Sequence, residues 1–338
     1  MSFYNTCKCI PKKRNVLWVL LSNVILLFPI ILSGCGNATT NFPVEESAYL
    51  FDTVITVSCY GENARDAVSK CIEEAKRYDL MLNPSYVDSD ISLINNSGGN
   101  PVTVNDETID VLNDAIFFAE LTDGLADPTI GAEYNLWDFH SENPVPPDSD
   151  KLAEAATHVD YRLIEISDNT VTLKDPLSQV SLGFIAKGYI ADRLRETIIS
   201  NGVTSAIINL GGNVLCIGTK PDGSDYNIGI RDPFGSDEPV TSVRISDLSV
   251  VTAGIYERCF KYNDTLYHHI LDPKTGISVD SDLVSATIIS DNSTQCDAVS
   301  TICILMGRER AKNFLSALGV KAILIDTDKN IEYINFDS

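Results

Sequence analysis

An α+β fold, mainly antiparallel strands with grouped helices, is what this sequence predicts. Helical periodicity gathers in the first half of the chain. From residue 205 to the end, short alternating runs dominate and helical segments interrupt them briefly. No regular strand–helix–strand alternation of the kind that builds a parallel sheet runs through the chain.

The elements follow in order. Tyr49 to Cys59 alternates apolar and small polar residues (Phe51, Val54, Ile55, Val57) and reads as an opening strand. Ala64 to Leu82 carries Ala67, Cys71, Ala75 and Tyr78 at helical spacing. Asn83 to Asn100 is turn-rich, punctuated by Asn-Pro, Asp-Ser-Asp and Gly98-Gly99. Asn105 to Leu121 reads as a second helix with Val111, Leu112, Ala115, Phe118 and Ala119 on its core face. A polar loop carrying Asp127-Pro128-Thr129 follows, and residues 140–155, rich in proline and acids, read as a surface excursion. Strands are expected over Tyr161 to Ile166, Thr170 to Leu173 and Gln179 to Leu182. Lys187 to Ser200 fits a helix stopped by Gly202.

Beyond it the expected strands are Ser205 to Leu210, Val214 to Gly218, Tyr226 to Ile230, Thr241 to Ile245, Ser249 to Thr252, Glu257 to Tyr262, Tyr267 to Leu271, Val284 to Ile289, Ala322 to Asp326 and Ile331 to Asn335. Helices over Gln295 to Met306 and Arg308 to Gly319 lie among them.

The 338 residues are 44% hydrophobic and 21% charged, a globular balance with room for a sizeable core. The formal net charge is −22. Such a surface favours solubility and repels phosphate backbones, which excludes nucleic acid as a partner. Any site for a phosphorylated ligand must offset that background locally, with a metal, a helix N-terminus or a placed lysine.

The acidity lies entirely outside the first 34 residues, which hold Lys8, Lys12, Lys13 and Arg14 and no acid. There Lys12-Lys13-Arg14 precede an apolar run from Val16 to Leu32, followed by Leu32-Ser33-Gly34-Cys35. This is the pattern of a secretory signal; the run also approaches the ~20 residues of an uncleaved membrane span. Leu-Ser-Gly-Cys resembles a bacterial lipobox, in which the cysteine is lipidated and becomes the first mature residue. The expected organisation is therefore a signal over residues 1–34, lipidated Cys35 with a polar tether to residue 47, and one folded domain over 48–338. That domain would be held at the extracytoplasmic face of the cell membrane. Six further cysteines lie in the folded part, none paired at CxxC spacing. Buried free thiols are expected there, with a disulfide framework or zinc site as the alternatives.

Several segments could carry chemistry, each with a structural alternative. In Ser181-Leu-Gly-Phe-Ile-Ala-Lys-Gly-Tyr-Ile-Ala-Asp192 a strand ends at Gly183 and a helix starts near Lys187. Free N–H groups, the helix dipole and a lysine in one place suit a diphosphate, and a simple strand-to-helix turn with a solvated lysine is the alternative. Asp297 and Thr301, four apart on a helix, share a face and offer oxygen donors to a hard cation such as Mg²⁺. Otherwise Asp297 caps its helix and Thr301 back-bonds to its own turn. Strand alternation puts His268 and His269 on opposite faces, so one of them could act as acid or base but not both as ligands of one metal. Asn209-Leu-Gly-Gly-Asn213 is a turn, a bulge or a place where a ligand approaches. The purpose of Thr252-Ala-Gly-Ile-Tyr-Glu-Arg258 cannot be read from its residues.

Order and joint presence make the set specific. Leu125-Ala-Asp-Pro-Thr-Ile130, Leu182-Gly-Phe-Ile-Ala-Lys-Gly-Tyr189, Ile208-Asn-Leu-Gly-Gly-Asn213, Val251-Thr-Ala-Gly-Ile-Tyr-Glu-Arg258, His268-His-Ile-Leu-Asp-Pro-Lys-Thr-Gly276 and Cys296-Asp-Ala-Val-Ser-Thr301 together resemble the ApbE family of FAD:protein FMN transferases. The similarity runs from about Tyr49 to the C-terminus. It implies an ApbE-like (T-fold-like) arrangement of mixed, mainly antiparallel sheets with grouped helices. It implies Mg²⁺ held by Asp297, Thr301 and a main-chain oxygen at Ala186, with FAD as substrate. FAD contacts would fall at Phe51, at Leu125, Ala126 and Asp127, at Gly183 and Tyr189, and at Leu271 and Asp272, with Lys187 offsetting phosphate charge. A Thr or Ser hydroxyl of a target protein, a membrane redox-complex subunit or extracellular reductase, would attack the FMN phosphorus and AMP would leave. Asp297 is the first candidate for base or metal holder and His269 the next. FAD hydrolysis by water, and a lipoprotein that only binds flavin, are the alternative functions. The chain departs from the family pattern at Phe51-Asp52 (usually Met-Gly), at Phe184 (often glycine) and at Ile255 (usually an acid).

Overall fold

The computed structural model describes residues 42–336. The lipobox, Cys35 and the signal segment lie outside them. The α+β expectation holds. One eight-stranded sheet, entirely antiparallel, runs in the order β1-β2-β6-β7-β10-β13-β14-β15. These strands are β1 (Val44–Leu50), β2 (Thr53–Cys59), β6 (Ala206–Leu210), β7 (Asn213–Ile217), β10 (Ser249–Gly254), β13 (Leu283–Ser290), β14 (Lys321–Asp326) and β15 (Ile331–Ile334). The helices α1 (Ala64–Leu82), α6 (Ala186–Ser200) and α7 (Ser293–Met306) pack together over one face. A ribbon of β8 (Tyr226–Ile230) and β9 (Thr241–Ile245) contributes to a second core.

Period-2 alternation divides the strands between the two cores. Val251, Ile288 and Leu324 join the large core shared with the helices. Their neighbours Val250, Ile289 and Ile323 pack with Tyr226, Ile230, Val243 and Ile245 of the ribbon. The expected free, buried thiols are found at Cys59, Cys71, Cys216, Cys296 and Cys303, whereas Cys259 departs from that expectation and is disulfide-bonded.

The smaller elements are a three-stranded sheet β3-β5-β4 (Val102–Thr103, Thr170–Leu173, Ile164–Ser167) and a hairpin of β11 (Cys259–Tyr262) and β12 (Thr265–His268). Four further helices are α2 (Asp90–Asn95), α3 (Asp106–Leu121), α4 (Gly131–Tyr134) and α5 (Ser149–Ala156), and α8 (Arg308–Leu318) follows α7. The core face expected for α3 is buried in full.

The structure corrects the reading at several places. The run from Tyr49 to Cys59 is not one strand. The chain reverses at Phe51-Asp52, where φ is 54° and 57°, the paired positive values of a two-residue hairpin turn. Pairing of the resulting β1 begins at Val44 opposite Cys59, inside the span assigned to the tether. The turn-rich stretch after residue 83 contains α2, started by the Ser89 hydroxyl accepting from Ser92 N–H. The acidic excursion contains α5, whose N-terminal amides donate to Asp148. Tyr161–Leu163 is a 3-10 turn ahead of β4. Gln179 to Leu182 makes only an isolated bridge, Gln179 to Ile130.

Asp79, 3% exposed near the end of α1, anchors the first hairpin. Its Oδ1 accepts from Phe51 N–H at 3.0 Å and from Asn83 Nδ2 at 3.1 Å, and its Oδ2 from the Tyr86 hydroxyl at 3.0 Å. Asp79→Ala leaves those donors without their acceptor. It is expected to destabilise the fold by roughly 2 kcal/mol, read as a lower urea midpoint with an unchanged slope.

Candidate active site

The N-terminus of α6 sits against the first turns of α7, and each helix caps the other. From α7, Asp297 Oδ2 accepts from Gly188 N–H at 2.9 Å. From α6, Asp192 accepts from Ser293 N–H at 3.1 Å and from Thr294 N–H and Oγ1, both at 2.9 Å. Both carboxylates thus lie where unsatisfied amides and the helix dipole favour negative charge. Asp297 does not cap its own helix; Asn292 does that by accepting from Gln295 N–H at 2.7 Å. Nor does Thr301 back-bond to its own turn. Its hydroxyl makes no hydrogen bond with the described residues.

Close approach makes the crossing possible. A Cβ on Gly188 would lie 2.3 Å from the Ser293 carbonyl oxygen and 2.7 Å from Asp297 Cβ. Behind the crossing, the Ser293 hydroxyl donates to Asn213 Oδ1 at 3.0 Å and accepts from Ser249 Oγ at 2.8 Å. That explains the Asn209–Asn213 segment. Gly211 and Gly212, with φ of 66° and 101°, close the β6–β7 hairpin, and buried Asn213 ties it to α7.

Charge converges on the same corner. Asp297 is 5% exposed. Burial pushes its carboxyl above the ordinary range, while Lys187 and the amides of Gly188 and Lys187 pull it back. Lys187 is half-buried and makes no ion pair among the described residues. Glu257 feels Lys187, Arg231 and Arg258, and its carboxylate stands 3.8 Å from Arg231. In a chain of net charge −22, this is the local cationic offset that a phosphorylated ligand requires.

His269 faces this group. Its N–H donates to the Arg258 carbonyl at 3.0 Å, and its Nδ1 is buried without a partner. Burial first, then the charge of Arg258, the neighbouring His268 and Lys187, push its imidazole down to about 3. His268 points the other way, into a structural network. Its Nε2 meets the Val279 carbonyl at 3.1 Å, its Nδ1 accepts from Ile270 N–H at 3.3 Å, and burial lowers it to about 4.

Both histidines stay neutral when folded, whereas the unfolded chain binds protons near 6.5. The folded state therefore loses stability as pH falls from 6.5 towards 4. His268→Asn is expected to flatten that slope by about 2–3 kcal/mol, measured as the difference between denaturation free energies at pH 7 and pH 4.5.

The structure brings Ala186, Lys187, Asp297 and His269 to one corner, with Thr301 a turn beyond Asp297 on the same helix. Gly183 is exposed three residues ahead of α6, and a Cβ there would meet only Ser181 Oγ at 3.7 Å. Tyr189 is not part of the corner. Its ring is 3% exposed, packs edge-on against Tyr78, and directs its hydroxyl to Asp110 at 3.5 Å. Asp127 is committed internally: Oδ1 accepts from Thr129 N–H and Oγ1 at 2.8 and 2.6 Å, and Oδ2 from Tyr161 N–H at 2.8 Å. Ala126 beside it is buried and Leu125 half-buried. Phe51 is half-buried at the hairpin turn held by Asp79.

Leu271 is buried with Trp137, Leu152 and Phe260. Asp272 heads a tight turn, taking Lys274 N–H on Oδ1 at 2.9 Å and Gly276 N–H on its carbonyl at 2.8 Å. Sequence reasoning missed Asp192, Arg231 and the place of Arg258. Asp192 closed a quoted segment and Arg258 another, but nothing local marked what either would face.

No group of three or more His, Cys, Asp or Glu capable of holding a metal occurs among the described residues. A metal at the α6–α7 crossing must therefore draw on hydroxyl and carbonyl oxygens as well. Asp297, Thr301 and the Ala186 main chain supply such a hard-oxygen set.

Known proteins resemble this chain over most of its length. The family model described as the ApbE family matches residues 51–324. The FAD:protein FMN transferase of Treponema pallidum (strain Nichols) is 32% identical over 326 residues, covering 89% of this chain and 90% of that protein. One from Klebsiella pneumoniae (strain 342) is 34% identical over 269 residues, covering 78% and 83%. The crystal structure of the ApbE protein of Thermotoga maritima superposes with a TM-score of 0.81 at 30% identity, covering 86% of this chain and 97% of that one. The flavin transferase ApbE of Vibrio cholerae shares the fold, with a TM-score of 0.76 at 22% identity. By family model, relatives and fold alike, this chain belongs to the ApbE family.

Proposed function

We propose that this chain is an FAD:protein FMN transferase that works with Mg²⁺ at the extracytoplasmic face of the membrane, anchored through Cys35. The observation that carries the reading is the α6–α7 crossing. It places a buried carboxylate, a free hydroxyl one turn away and an unpaired lysine around the N-terminus of a helix, in a chain matched over most of its length by transferases of this name.

Asp297, Thr301 and the Ala186 carbonyl would hold Mg²⁺. Bound there, the ion neutralises diphosphate charge and acts as a Lewis acid on its oxygens. The remaining work falls to the protein. Lys187 and the amides of the first α6 turn take up further phosphate charge, and Arg258 lies within reach of the same corner. Gly183 leaves backbone open for close approach. The acceptor hydroxyl of Thr or Ser forms a new bond to the FMN phosphorus as the bond to the AMP oxygen breaks, and AMP carries away the electron pair. The hydroxyl proton goes to a base at this corner; Asp297 and His269 are the candidates, and burial with the nearby positive charge, which hold His269 at about 3, make it the weaker acceptor unless the bound diphosphate offsets that charge. The acceptor is a Thr or Ser of a flavin-bearing membrane redox subunit or extracellular reductase.

The test is mass spectrometry of a co-expressed candidate acceptor, together with assay of released AMP. FMN on a Thr or Ser with equal AMP is the expected result. AMP without protein-bound flavin would assign hydrolysis instead, and binding of FAD without AMP would assign a flavin-binding protein.

A further inference from the structure

Glu133, in α4, is an unexplained carboxyl. It is 0% exposed, and neither oxygen has a hydrogen-bond partner. An unpaired buried carboxylate is costly, so such a group keeps its proton. The charged groups acting on it are Asp272 on the turn opposite and Asp127 ahead of α4, both acids; the facing residue of α5 is Leu152, which is apolar. Burial first, then those two carboxylates, push Glu133 up to about 8.

Its position matters more than its charge. Gly276, at φ 66°, ends the Asp272 turn directly on it: a Cβ at that glycine would lie 3.1 Å from Glu133 Cδ and Oε1, and 3.0 Å from Leu152 Cδ2. Trp137, three residues after α4, holds the same turn by donating its indole N–H to the Gly276 carbonyl at 2.8 Å. The Asp272–Gly276 turn is thus clamped between a buried carboxyl and a buried indole, with Leu271 in the same apolar cluster as Trp137.

We propose that Glu133 is a positioning residue for FAD use: uncharged, it seats the Asp272–Gly276 turn on α4, and ionised it unseats that turn. The inference rests on the reading above, in which Leu271 and Asp272 face FAD. It gives the enzyme an alkaline limit set outside the α6–α7 crossing.

The test compares the mature protein, without residues 1–34, with its Glu133→Gln variant, which keeps the volume and cannot ionise, between pH 7 and pH 9. In the parent protein the KM for FAD is expected to rise about tenfold at pH 9, because only the protonated fraction binds. Glu133→Gln is expected to hold its KM flat between pH 7 and pH 9. Trp137 supplies a readout without turnover. The chain has two tryptophans, and Trp18 lies in the leader, so cleavage leaves Trp137 alone. Its emission in the mature protein is expected to shift with a midpoint near pH 8, and not to shift in the variant. Should the variant fail to fold, the parent titration alone decides. A flat Trp137 emission and a flat KM in the parent, or an equal rise in both proteins, overturns the proposal. Absence of FMN transfer at every pH would instead count against the transferase reading, while the Trp137 shift would still report on Glu133.

Discussion

Asp297→Asn is expected to cost at least about 100-fold in FMN transfer while leaving the protein as stable as the parent, or slightly more so. The two effects part because Asp297 has two roles. As a cap it needs only an oxygen that accepts from Gly188 N–H at 2.9 Å, which an asparagine Oδ1 supplies. As a charge it sits 5% exposed with its carboxyl pushed up by burial, so without a cation beside it the negative charge opposes folding. Neutralising it removes that penalty together with the grip on a divalent ion proposed for it. Asp297→Ala differs, because it orphans the Gly188 amide and adds a loss of about 1–3 kcal/mol. Thermal melts with and without Mg²⁺ and FAD check the pair. The parent should gain stability from the two together, and Asp297→Asn should gain little. Transfer by Asp297→Asn within threefold of the parent would remove the metal-holding role.

How much of this was legible depended on distance along the chain. Helix α1 and strands β5, β8 and β9 lie where periodicity placed them, because four or more residues of one pattern suffice to bury a face. The β1–β2 hairpin was hidden because alternation continues smoothly through Phe51-Asp52, a pair without the Asn-Gly or Asp-Gly chemistry that announces such a turn. Residues 149–156 carried a readable cap in Asp148, but proline and acid content around them masked a helix that buries Leu152. The Gln179–Leu182 run alternates correctly yet meets no partner strand beyond a single bridge. Pattern shows what a strand could bury, not whether an edge is free to receive it.

The site was legible in its parts and not in its assembly. Asp297 and Thr301 share a face by helical arithmetic alone. The carboxylate's cap on Gly188 spans 109 residues, and the return cap from Asp192 spans 101. No local rule reaches that far. Tyr189, an FAD contact by family resemblance alone, turns its ring towards Tyr78 and its hydroxyl towards Asp110 of α3, a placement no local pattern announces.

The two glycines that flank the start of α6 separate structure from ligand contact, and Gly188→Ala is expected to have the larger effect on folding. Intrinsic helix preference predicts a gain of about 1 kcal/mol for alanine there. The crossing overrides it. The new Cβ would stand 2.3 Å from the Ser293 carbonyl oxygen and 2.8 Å from its carbon, and backbone within a helix cannot swing aside. The helices must separate, which strains the Asp297 cap on α6 and the Asp192 caps on α7 together. Overpacking of about 1–3 kcal/mol plus weakened buried hydrogen bonds gives an expected loss of about 3–5 kcal/mol, measured as a lower urea midpoint. Transfer should vanish even at temperatures where the variant stays folded, since Asp297 and Ala186 no longer keep their relative places. Gly183→Ala is the control. Its Cβ meets only Ser181 Oγ at 3.7 Å, so stability should change by less than about 0.5 kcal/mol. If that glycine exists to let a diphosphate approach the backbone, the same variant raises the KM for FAD several-fold. Equal stability losses at both positions would mean that the α6–α7 contact is looser than a 2.3 Å clash allows.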